Sequence, residues 1–110
     1  MQFVVSHVHA PNDCPSDRPE LLKKLGHDLS DVEAMKKGVK LLAAYIAPLE
    51  HTFFFILEAD SLAKVTDFLR PAAKLGTANV IPVDEFQKVV RQLSQGHGEP
   101  PAPEVRVVPH

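Results

Sequence analysis

The runs "VKLLAAYIA" (residues 39–47) and "HTFFFILEA" (residues 51–59) constrain the fold more than any other part of the chain. Both are continuous apolar stretches of strand length, and the connecting "PLE" is short enough for a tight antiparallel turn. They predict a hairpin. Its second strand is apolar on both alternations, with Phe53, Phe55 and Leu57 on one face and Phe54 and Ile56 on the other. An antiparallel sheet with helices on one side needs only one apolar face, so something must cover the second. The simplest cover is the same face of another subunit, which makes a homodimer with stacked sheets.

The flanking segments supply the other elements. "FVVSHVH" is rich in β-branched residues and ends in the turn-forming "APNDCPSD", which predicts a strand over residues 2–9. Asp17 and Glu20 have capping-box spacing ahead of Leu21, Leu22 and Leu25, and Gly26 is placed to close that helix. Ser30 and Glu33 repeat the spacing, so the helical region is expected to break near "GHDLS". Asp60 or Ser61 caps "LAKVTDFL", which Pro71 should stop. "TANVIPV" reads as a strand, and its Pro82, lacking a ladder donor, belongs on a sheet edge. Asp84 and Gln87 open a last amphipathic helix with Phe86, Val89, Val90 and Leu93 on one side. From Ser94 the chain holds four of the ten prolines. Residues 1–93 therefore read as one domain and 94–110 as a flexible tail, whose "VRVV" is suited to a partner's sheet edge.

Strand, helix, strand, strand, helix, strand is the ferredoxin-like βαββαβ plan of the α+β class, here with an extra C-terminal helix. In that plan the first and third strands are central antiparallel neighbours and the fourth lies on an edge.

Size and charge exclude several functions. The 110 residues, 45% of them hydrophobic, suffice for one modest core. The 12 bases and 14 acids are scattered, which leaves no basic stripe for nucleic acid or anionic lipid. No leader-like N-terminus and no run of membrane-spanning length is apparent, so a cytoplasmic protein with no membrane partner is expected. The glycines form no phosphate loop.

The chemistry concentrates in "SHVHAPNDCP" at residues 6–15. His7 and His9, two apart on a strand, project from one face with Cα atoms roughly 7 Å apart, close enough for both rings to reach one ion. If the first and third strands are antiparallel neighbours, His51 starts the third strand beside the end of the first. The loop after His9 can then return Cys14 to the same rim. His7, His9, Cys14 and His51 are the candidate metal ligands, with Asp13 or Glu50 behind them. Closed His/Cys ligation favours zinc; an open or planar arrangement admits nickel or copper. The resulting function is metal carriage, buffering or sensing. The alternative is a small enzyme in which histidines, or a metal with one open position, act in an apolar pocket. Cys14, the only cysteine, cannot form an internal disulfide, and no motif supports it as a nucleophile.

Over roughly the first 85 residues, "VVSHVHAPNDCP", "APLEHTFFFILEADS" and "NVIPV" resemble small uncharacterised bacterial ferredoxin-like proteins, whose relatives include dimeric α+β barrel proteins and a nickel-binding group. The resemblance implies a dimeric α+β barrel with a metal or small-ligand pocket near His7, His9, Cys14 and His51. It implies nothing about the reaction.

Overall fold

The computed structural model describes residues 1–96. Four strands, β1 (Gln2–His9), β2 (Val39–Ala47), β3 (Thr52–Ala59) and β4 (Gly76–Val83), form one antiparallel sheet in the order β2-β3-β1-β4. This is the ferredoxin-like order, with β1 and β3 central and Pro82 on the edge strand β4 as expected. The connection "PLE" is a single 3-10 turn, and His51 closes it in the left-handed conformation with φ 51° and ψ 45°.

The helices are α1 (Pro19–Asp28), α2 (Asp31–Lys36), α3 (Leu62–Leu69) and α4 (Phe86–Gly96). Ser30 caps α2 by accepting from the Glu33 amide, and Ser61 caps α3 by accepting from the Lys64 amide. The start and end of α1 differ from the capping reading. Pro15 and Pro19 each open a helical turn, so Asp17 falls within a 3-10 turn and Arg18 stands at the helix boundary, with no side-chain cap. Gly26 lies inside α1, which continues to Asp28, and the break falls at Leu29 and Ser30. Ser94 and Gln95, read above as the start of the tail, are the penultimate residues of α4; the rest of that segment, "VRVV" included, lies outside the described residues.

The core lies between one sheet face and the first three helices. Phe3, Val5, Phe53, Phe55 and Leu57 meet Leu25 of α1, Ala34 of α2, and Val65, Phe68 and Leu69 of α3. Burying side chains of this size contributes roughly 1.5–3 kcal/mol each. The other face stays open: Phe54, Ile56, Tyr45 and Ile81 are all exposed, and the register places Ile56 and Ile81 on either side of Val4, and Tyr45 opposite Phe54. His7 and His9 point to the covered face, which makes them buried polar residues at the rim of the core.

Candidate metal centre

His9 ends β1, and its side is set by strand alternation: Phe3, Val5 and His7 share its face, and all are buried. Its backbone amide donates to the carbonyl of His51 at 3.0 Å, which ties the end of β1 to the turn before β3. The left-handed backbone of His51 is the only positive φ outside glycine among the described residues. Such a conformation costs on the order of 1–2 kcal/mol for a residue with a Cβ, and it occurs here at the candidate site. The two imidazole centroids are 5.8 Å apart with nearly perpendicular planes.

Cys14 returns to this rim because two 3-10 turns, Pro11–Asp13 and Pro15–Asp17, fold the loop back on either side of it. Arg18 donates to the Asn12 carbonyl at 2.8 Å and closes the loop. The thiol is 5% exposed and lies 2.9 Å from the Ser16 hydroxyl.

One potential ligand atom from each of His9, Cys14 and His51 lies within 4.8 Å of the others. His7 is not one of these three, although its ring lies 5.8 Å from that of His9 and its Nδ1 is buried without a partner. Its Nε2 donates to the carbonyl of Ala72 at 2.8 Å, and its ring stacks on Phe53 at 5.4 Å. That bond spans 65 residues of sequence, so nothing near "SHVH" announces it. Of the carboxylates expected behind the ligands, Asp13 acts on His9 by its charge.

The electrostatics favour the protonation states that a metal needs. Desolvation by burial holds the His9 pKa below its ordinary value, and repulsion from His7 and His51 adds to this while Asp13 opposes it. The ring is thus favoured in its neutral, coordinating form. The Cys14 thiol is also held below its ordinary value, above all by the Ser16 hydroxyl and then by the His51 imidazole. Thiolate and neutral imidazole are the forms in which these side chains bind metal. Ser16 carries no mark in the sequence, and Phe53 is marked there only as a residue of a core strand. The Cys-x-Ser spacing is a weak signal for the first, whereas Phe53, 4.8 Å from the His9 ring, carries the ordinary pattern of a core strand.

Both His9 nitrogens and the His51 Nδ1 are buried and have no hydrogen-bond partner. A buried polar group left unpaired costs about 1–3 kcal/mol. One nitrogen of each ring together with the thiol forms a donor set, and its nitrogen and sulfur composition fits a late transition metal better than magnesium or calcium.

Fold and site together define a small α+β domain with an open four-stranded antiparallel sheet and a His/Cys/His cluster at its rim that could hold a metal ion. The chain belongs to the family described as a domain of unknown function, DUF3303, whose model matches residues 1–97. None of the curated proteins matches the chain. No helix among the described residues is long and apolar enough to cross a membrane.

Proposed function

We propose that this domain binds one late transition-metal ion, zinc foremost, through His9 and His51 nitrogens and the Cys14 sulfur, and keeps one coordination position for an exchangeable ligand. The observation that supports this most is the convergence of one atom each from the buried, unpartnered His9 ring, the Cys14 thiol and the His51 imidazole within 4.8 Å of one another. Zinc sites with four protein ligands are typically structural, whereas three protein ligands leave a place for water or a small molecule. Three donors suit a carrier or sensor that releases its ion and also suit Lewis-acid chemistry. Nickel, suggested by the resemblance, and copper are the competing ions. His7 serves here as a support, holding the end of β1 against the Ala72 carbonyl. We place the protein in the cytoplasm, where a lone thiol stays reduced. We take its working form to be a homodimer joined through the open sheet face.

Tag-free protein should carry or take up about one equivalent of zinc and hold it against a weak chelator. His9→Ala and Cys14→Ser should each weaken binding at least tenfold, while His7→Gln should keep it largely intact. Equal, negligible metal in wild type and both ligand variants would refute the proposal. Full binding retained on loss of Cys14 would remove sulfur from the ligand set.

A further inference from the structure

Gly26 stands inside α1, although glycine is the poorest helix former after proline. It shares a helix face with Leu22, Leu25 and Leu29, and a Cβ there would meet no atom within 4 Å. A larger residue would therefore improve the helix and fill the space in front of it. What the glycine leaves open is an apolar cleft of about 390 Å³ between α1 and the edge strand β2, walled by Leu22, Leu25, Leu29, Ile46, Phe53 and Phe55. That volume falls at the small end of the range for ligand pockets.

The cleft adjoins the metal centre on the same, helix-covered face of the sheet. Phe53 belongs to both: it walls the cleft, and its ring lies 4.8 Å from the His9 ring. His51 precedes it by two residues at the entry to β3. On the opposite wall, α1 begins at Pro19, directly after the turns that hold Cys14, and packs against the second of them. Leu22, in the first part of the helix, therefore lies toward the metal end, and Leu29 lies roughly 10 Å further along the axis.

Charge divides between the two parts. None of the described residues that line the cleft is charged, so nothing in it can neutralise an ionic group. A divalent ion held by two neutral imidazoles and one thiolate keeps a single positive charge, which suits a monoanion. We propose that cleft and ion together bind a small apolar monocarboxylate, with its carboxylate in the exchangeable coordination position and its hydrocarbon body along Phe53 between α1 and β2. This rests on the metal reading stated above.

The test is calorimetric titration of octanoate into the zinc-loaded full chain, with acetate as the control that lacks the body and 1-octanol as the control that lacks the charge. Each buried CH₂ strengthens binding about fourfold, so octanoate should bind at least tenfold more tightly than acetate. It should exceed octanol by a similar factor, and removal of zinc should weaken it to the same degree. Gly26→Leu and, from the strand side, Ala44→Leu narrow the cleft independently. Each should retain one zinc per chain and the acetate affinity of wild type while weakening octanoate at least tenfold. A wild-type chain that takes up no zinc would overturn both the metal site and this inference. Zinc bound in full, with octanoate no tighter than acetate, equally tight on metal-free protein, or unaffected in a variant that retains zinc, would overturn the inference and leave the metal site standing.

Discussion

His9 is the residue whose placement the fold alone explains least. A leucine or phenylalanine would extend the row begun by Phe3 and Val5, yet the position holds a ring with two buried, unpartnered nitrogens. His9→Leu should therefore leave the metal-free protein at least as stable as wild type, by up to about 2 kcal/mol, while zinc no longer raises its melting temperature. A metal-free variant several degrees less stable would mean that the ring itself holds the fold. The same burial predicts an acid limb. Because the native His9 pKa is lowered, the unfolded chain takes up the proton first as pH falls. Stability present above about pH 6.5 is then lost as pH drops through the depressed native value. Denaturant midpoints between neutral and mildly acidic pH should show this loss in wild type and show less of it in His9→Leu. For Cys14, removing its main hydrogen-bond partner by Ser16→Ala should move the thiol titration, followed by thiolate absorbance in metal-free protein, upward toward the ordinary value. An unmoved midpoint would assign the shift to His51.

At the scale of elements, the site depends on two strand ends and one loop that are held by local rules of different strength. Ser30 and Ser61 each accept a backbone amide three residues ahead, so either one changed to Ala should cost about 1 kcal/mol, whereas Asp17→Ala should cost little. Chemical denaturation of the three variants checks the ranking. These caps were legible in sequence because a cap is a local contact. Asp17 misled because the prolines on either side of it set the backbone before its side chain could. The hairpin, the edge position of Pro82 and the common face of His7 and His9 were also legible, since strand alternation and the missing proline donor leave few options. The difference between His7 and His9 was not, because it is made by a carbonyl at Ala72, distant in sequence. Gly76, paired with His9 across β1 and β4, is a further case. A Cβ there would lie 2.0 Å from the Val8 carbonyl oxygen, so Gly76→Ala must push β4 away from the strand that carries His9. A loss of more than about 3 kcal/mol is expected in the same denaturation experiment, and a neutral result would mean that the β4 edge is held loosely.

At the scale of the molecule, a one-sided sheet gives the chain two separate regions. The covered face ends in a rim where His9, Cys14 and His51 converge, and the open face and α4 present apolar surface away from that rim. Metal binding and self-association should therefore be separable: Phe54→Lys should alter the mass of the particle and leave zinc stoichiometry per chain unchanged. The proposal that one ion is held by two imidazoles and one thiolate is tested most directly by X-ray absorption spectroscopy of tag-free, zinc-loaded protein. It predicts one sulfur at about 2.3 Å and two imidazole nitrogens at about 2.0–2.1 Å, with one further light atom from an exchangeable ligand. A shell of oxygen and nitrogen with no sulfur would contradict it.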